Sequence, residues 1–185
     1  GGDLPETLKA KDPVFNRVRN VVVASNLQAV DATRERAQGL GFNSMALTSY
    51  ITGEAREIAR IFPAMARQIL ETGSPIEAPA CVIAGGETTV SIRGAGRGGR
   101  NQEMALSAAI EMEGLERTLL LCGGTDGTDG PTDAAGGMVD GGTLERAKRR
   151  GLSAREYLRS NDSYSFFKDL GEQFITGPTN TNVMD

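Results

Sequence analysis

Apolar residues along this chain fall into three patterns, and each predicts a different element. Short, nearly unbroken apolar runs occupy residues 18–25 (VRNVVVAS), 44–49 (SMALTS), 80–84 (ACVIA) and 118–122 (TLLLC). Such runs predict strands buried on both faces, as in a parallel sheet covered by helices. Residues 88–92 (TTVSI) alternate instead, which predicts a half-exposed strand, and Gly85-Gly86 just before them predicts a tight reversal. Helical spacing appears in residues 54–72, where Ile58, Ile61, Phe62, Met65 and Ile69 share one face. Pro63 falls inside that stretch and is expected to kink it or split it in two. Ser25-Asn26 offers an N-cap for a helix reaching about residue 38, with Gly39 and Gly41 as its stop. Residues 101–112 (NQEMALSAAIEM) predict a compact helix whose small side chains permit close packing. Short helices are expected at 142–150, 153–159 and 163–170, followed by a loop at 176–182, while residues 1–12 read as an extended lead-in.

Strand, helix, strand and helix joined by short loops argue for an α/β fold with a parallel or mixed sheet and right-handed crossovers. Residues 73–79 (GSPIEAP) have the composition of a linker, so the chain divides into residues 1–75 and 80–185. Glycine sharpens the picture: 15 of the 24 lie between Gly85 and Gly142. Clustering of that kind marks tight turns or close backbone approach. The densest loop, residues 123–137, follows the buried run at 118–122, and α/β sheets carry their ligand loops at this end of a strand.

Composition removes several function classes. A net charge of −4, with no basic stripe interleaved with aromatics, speaks against nucleic-acid binding. The run Lys148-Arg149-Arg150 suits a solvated helix end. No apolar run is long enough to span a bilayer and no signal peptide is visible, so a cytoplasmic protein is expected. Cys81 and Cys122 stand alone in apolar sequence and read as reduced core thiols. The chain has no histidine, which excludes a His-containing triad or a His-ligated zinc site within it.

Candidate chemistry lies in two glycine-rich segments. In the first, Gly94, Gly96 and Gly99 satisfy the G-x-G-x-x-G pattern of dinucleotide loops. Against that reading stand the half-polar preceding strand, the loop residues Arg97 and Arg100, and the distance to the next strand-end acid, Asp126. The alternative is an oxyanion loop, with bare glycine amides at a helix N-terminus and arginine forks for phosphate or carboxylate. A plain glycine turn with solvated arginines is the third reading. In the second segment Asp126, Asp129 and Asp133 alternate with Thr125, Thr128 and Thr132. An EF-hand is excluded, because Gly137 stands where its bidentate Glu belongs, but a looser Mg²⁺ site held by these aspartates fits. A spare carboxylate could orient or deprotonate an attacking hydroxyl; the same residues also suit Asx-turns in a surface loop. Thr176, Thr179 and Asn182 gather hydroxyls and an amide around Gly177-Pro178, fit either for a polyoxygenated ligand or for an ordinary turn. A P-loop motif is absent.

Taken together, GGETTV, GRGGRNQE, GTDGTDGPTDAAG and TGPTNTN, in that order, resemble the C-terminal half of the glycerate 2-kinase family, including the module known as the MOFRL domain. The earlier stretches DPVFNRVRNVVVASN and GEAREIAR resemble that family's approach to the domain. The resemblance implies that residues 1–75 end a Rossmann-like region with two strand–helix units, and that residues 80–185 form the MOFRL-like domain. It implies Mg²⁺-dependent transfer of phosphate from ATP to the 2-hydroxyl of D-glycerate, with a hydroxy acid and a nucleotide as small-molecule ligands. Related sequences carry the label hydroxypyruvate reductase, an NAD(P)H-dependent alternative; a non-catalytic binding module is a further one. By motif position Arg100 is the catalytic or phosphate-stabilising arginine, with Arg97 assisting. Asp126 and Asp129 then serve catalysis, metal or substrate, Asp133 the metal, and Gly98, Gly99, Asn101, Glu103, Thr125, Thr128, Thr176, Thr179 and Asn182 substrate or phosphate. Two departures stand out. Asn180 occupies a position where the family has glycine, and the family carries a large N-terminal α/β domain, with a suspected catalytic lysine, ahead of this segment. The cleft is therefore expected to need that domain as partner, the chain alone is expected to be inactive, and a homo-oligomer is left open.

Overall fold

Ser25 starts the first helix by its side chain: its backbone is extended and its Oγ accepts the N–H of Gln28 at 3.3 Å. The computed structural model, which describes residues 7–9, 11–19 and 21–183, places helix α1 at Asn26–Gly39 and strand β1 at Asn43–Glu54. The helical pattern after β1 divides as Pro63 requires. Helix α2 covers Ala55–Ile58 and α3 covers Ile61–Thr72, with Pro63 in the first turn of α3, where a missing N–H leaves no bond unmade. Gly73 ends α3 in the left-handed conformation, φ 70°. Strand β2, Ala80–Thr89, then runs parallel to β1, from Asn43 opposite Ala80 to Glu54 opposite Thr89. That pairing crosses the expected division between residues 75 and 80.

Two expectations fail in this half. Residues 88–92 do not turn back after Gly85-Gly86; β2 continues straight through the pair. The glycines answer a different demand, close approach of the neighbouring strand: a Cβ on Gly86 would lie 2.2 Å from the Ile51 carbonyl oxygen. The apolar run at 18–25 forms no strand among its described residues, and Val21, Val22 and Val23 are 64%, 80% and 86% exposed. A run of β-branched residues reports a demand for burial on two faces. The described residues provide no neighbouring strand and no covering layer to meet it. Asn20 of that run, and Gly1–Glu6 and Ala10 of the lead-in, lie outside the described residues; the rest of the lead-in passes into a 3₁₀ turn at Pro13–Arg17.

The second half is built around helix α4, Arg100–Glu111, whose residues from Asn101 to Ala109 are all buried. Strands β3 (Leu119–Gly123), β4 (Gly136–Asp140) and β5 (Gln173–Phe174) form an antiparallel sheet in that order, so the fold is α/β with a mixed strand arrangement. Neither β4 nor β5 is visible in the sequence, since GGMVD opens on two glycines and QF is too short to pattern. Helices α5 (Thr143–Arg149), α6 (Ala154–Arg159) and α7 (Ser163–Leu170) close the layer where the sequence places them. The core joins Leu106 and Met104 of α4 to Val139, Phe166 and Phe167, with the Phe166 ring edge-on to Phe167 at 5.3 Å and to Tyr157 at 5.6 Å. Among the described residues no helix is long and apolar enough to cross a membrane.

Candidate active cleft

Helix α4 begins without a capping side chain of its own, because its N-cap is Gly99. A residue from the aspartate-rich loop supplies the cap. Asp129 Oδ1 accepts the backbone N–H of Asn101 at 3.0 Å, and Oδ2 accepts that of Gln102 at 2.8 Å. The side-chain amides add further bonds, Gln102 Nε2 to Oδ2 at 3.0 Å and Asn101 Nδ2 to Oδ1 at 3.3 Å. Asp129 is 3% exposed. Burial pushes its pKa above the usual carboxylate value, outweighing the lowering by those donors and by Arg100. The same burial, helped by the Asp129 charge, pushes the neighbouring Cys122 thiol up to about 12.

The helix N-terminus therefore already holds an anion, and it is part of the protein. The glycines read as an oxyanion loop serve this interlocking. A Cβ on Gly99 would stand 2.4 Å from Asp129 Cγ, one on Gly98 2.2 Å from Ser163 Oγ, and one on Gly96 2.4 Å from Asp162 Cβ. The G-x-G-x-x-G spacing thus reflects packing of three loops, and the amides that a dinucleotide pyrophosphate needs are occupied.

Beside this junction opens a cleft of about 600 Å³, with Thr88, Arg100, Asp126, Thr128, Pro131 and Asn161 on its walls. Arg100 Nη1 donates to Glu87 Oε1 at 2.6 Å across from β2, both side chains being partly exposed. Asp126 sits on the opposite loop. Its Oδ1 accepts the backbone N–H of Thr128 at 2.9 Å and its hydroxyl at 3.0 Å, an Asx-turn, while Oδ2 accepts Asn182 Nδ2 at 3.4 Å. Arg97 lies apart from the cleft walls: its guanidinium rests 4.7 Å from the Tyr164 ring centre and its Nη2 donates to the Pro131 carbonyl at 3.2 Å.

The loop at 176–182 does reach the aspartate loop. Thr179 N–H donates to the Asp126 carbonyl at 3.1 Å and its hydroxyl to the Thr125 carbonyl, and Thr125 Oγ1 accepts the Val183 N–H at 3.2 Å. The Thr176 hydroxyl donates to the Gly177 carbonyl next to it at 2.9 Å. Asn180 adopts φ 58°, the left-handed conformation that asparagine accepts better than most side chains.

The three aspartates expected to hold Mg²⁺ do not converge. Asp129 caps α4, Asp133 accepts the Tyr164 hydroxyl at 2.9 Å, and only Asp126 borders the cleft with an exchangeable carboxylate. Among the described residues no group of three His, Cys, Asp or Glu is placed to hold a metal ion. Glu103 is likewise committed: 2% exposed, it pairs with Arg56 Nη2 at 2.8 Å and accepts Asn161 Nδ2 at 2.8 Å. Asn161, at φ 55°, also takes the N–H groups of Arg93 and Gly94 on its Oδ1 at 2.6 and 3.1 Å, so this buried network holds the first glycine loop in place. Glu87, Arg56 and Asn161 were not among the expected site residues. Glu87 and Arg56 lie in the motifs GGETTV and GEAREIAR, where they could have been found; nothing in the sequence marks Asn161.

A family model described as the MOFRL family matches residues 80–185. The D-glycerate 2-kinase of Thermotoga maritima is 48% identical over 86% of this chain and 39% of its own length. The glycerate 2-kinase of Pyrococcus horikoshii is 43% identical over 98% of this chain and 41% of its own. The chain thus spans about two fifths of the length of these curated relatives. The crystal structure of a glycerate kinase from Thermotoga maritima superposes with a TM-score of 0.86 at 46% identity, covering 87% of this chain and 39% of that one. A second solved structure, from Pyrococcus horikoshii, gives 0.83 at 43% identity over 91% and 38%.

Proposed function

The chain belongs to the MOFRL family, and we propose that it is the C-terminal part of a cytoplasmic, ATP-dependent D-glycerate 2-kinase that makes 2-phosphoglycerate. The names of its relatives support this reading. The observation that carries it is that Arg100 and Asp126, from two different glycine-rich loops, border one cleft. An arginine fork beside an exchangeable carboxylate suits phosphoryl transfer, in which charge stabilisation and positioning supply most of the rate. Arg100 would hold the oxygens of the transferring group. The 2-hydroxyl oxygen would bond to the γ-phosphorus as the bond to the ADP oxygen breaks, its proton passing to the Asp126 carboxylate.

Asp129, Asn101, Glu103 and the loop glycines act in this reading as positioning residues, and Thr125, Thr179 and Asn182 fix the Asp126 loop. A Mg²⁺ cage of three aspartates does not fit the residues present. Asp126 alone fits the habit of magnesium of taking one or two carboxylates beside phosphate oxygens, and the ion would supply neutralisation of phosphate charge. The division at residues 75–80 is retained as part of the proposal, with the start of the family match at residue 80 in support. The remaining length of the relatives supports an N-terminal α/β domain that completes the cleft.

The occupied N-terminus of α4 favours the kinase over NAD(P)H-dependent reduction of hydroxypyruvate. The test follows ADP release with D-glycerate, and in parallel oxidation of NADH with hydroxypyruvate, in the protein joined to its N-terminal domain. ADP release that depends on D-glycerate, with kcat lowered about a hundredfold or more by Arg100→Ala, is expected. NADH oxidation without ADP release would overturn the reading.

A further inference from the structure

Resting on the kinase reading, we infer that Glu87 is an internal counter-ion of Arg100, and that it reserves this arginine for a phosphate dianion against the carboxylate of a hydroxy acid. Most groups on these loops that could receive an anion already face an oxygen of the protein. The backbone amides at the start of α4 bind Asp129, which is buried and does not exchange. Arg97 is held by the Pro131 carbonyl and the Tyr164 ring. Arg100, on the wall of the cleft, differs, since one partner of its guanidinium, Glu87, is half exposed and joined to it at 2.6 Å. Such an exposed pair is weak, and an incoming anion can replace it.

The charges decide which anion profits. A monocarboxylate entering beside Arg100 exchanges one carboxylate for another and gains nothing. A phosphate group with two charges gains one further unit of attraction at contact distance. Arg100 therefore belongs to the nucleotide side of the cleft. The hydroxy acid's carboxylate must find its cation elsewhere.

The test uses calorimetric titration of the protein with inorganic pyrophosphate, and separately with D-glycerate. Wild type is expected to bind pyrophosphate, and Arg100→Ala to lose that binding. Glu87→Gln is expected to bind pyrophosphate about fivefold more tightly, the worth of one exposed charge pair, and to gain measurable D-glycerate binding that a further Arg100→Ala change removes. Glu87→Asp, whose shorter carboxylate reaches Arg100 less well, should fall between. Unchanged pyrophosphate affinity in both Glu87 variants, or wild-type binding that survives Arg100→Ala, overturns the inference. The kinase assay fails or succeeds separately: pyrophosphate binding that responds to Glu87, with no ADP release, would sink the enzymatic reading and leave the counter-ion in place.

Discussion

Replacing Asp129 with alanine should unfasten the two glycine-rich loops from each other. The carboxylate accepts the backbone N–H groups of Asn101 and Gln102, both in buried residues, at 3.0 and 2.8 Å. Gln102 Nε2 keeps Thr132 Oγ1 at 3.1 Å, so two backbone donors are the main loss. Each buried donor left without an acceptor costs about 1–3 kcal/mol, which puts the raw penalty at about 2–6 kcal/mol. Part of that is returned, because a carboxylate whose pKa is raised by burial was costly to keep charged. A net loss of about 3 kcal/mol is expected, a large share of the 5–15 kcal/mol typical of a domain. Asp129→Asn keeps one acceptor and turns an NH₂ toward the other amide, and should lose about half as much. Urea unfolding followed by far-UV circular dichroism measures both, tryptophan fluorescence being of no use in a chain that has none. The pH dependence adds a second arm. With the folded pKa above its ordinary value of 3.8, the native state binds the extra proton just above that pH. This contribution to stability is therefore full at lower pH and falls as pH rises through the folded pKa. Asp129→Asn should remove that fall. An Asp129→Ala midpoint within about 0.5 kcal/mol of wild type, the range of an ordinary surface change, would refute the capping role.

Removing Arg56 strands the buried Glu103 carboxylate beside Asn161 alone; Arg56→Ala should cost about 3–5 kcal/mol by thermal or urea unfolding, and Glu103→Gln in the same background should recover part of it. Asn180→Gly should be neutral, whereas Asn180→Val, forced to φ 58°, should lose about 1–2 kcal/mol, read from the melting midpoint. Cys122, buried with its thiol pushed up to about 12, should resist alkylation in the folded protein at mildly alkaline pH, while partly exposed Cys81 reacts; mass spectrometry after timed labelling distinguishes them.

Local chemistry was legible residue by residue. Ser25 marks a helix start, Pro63 marks the break between α2 and α3, and Ser153 caps the start of α6. The candidate motifs were legible as well, because glycine, arginine and aspartate at such density stand out against any background. What each residue does was not. Asp126 and Asp129 sit in the same repeat, Thr-Asp-Gly, yet Asp126 stays partly exposed to the cleft while Asp129 is buried as the cap of α4.

Local sequence was therefore enough for the α/β class, most helix boundaries and the position of the two glycine-rich loops. Those properties depend on neighbours within a turn or two of chain. Tertiary structure alone decided that β2 runs through its glycine pair, that the valine run at 18–25 stays without a strand partner, and that the anion at the start of α4 is Asp129. Each of these turns on which remote segment supplies the missing acceptor, strand or counter-charge, and periodicity records only that one is needed. For the stretch from Gly85 to Asp133, that difference separates the aspartate that builds the cleft from the one left facing it.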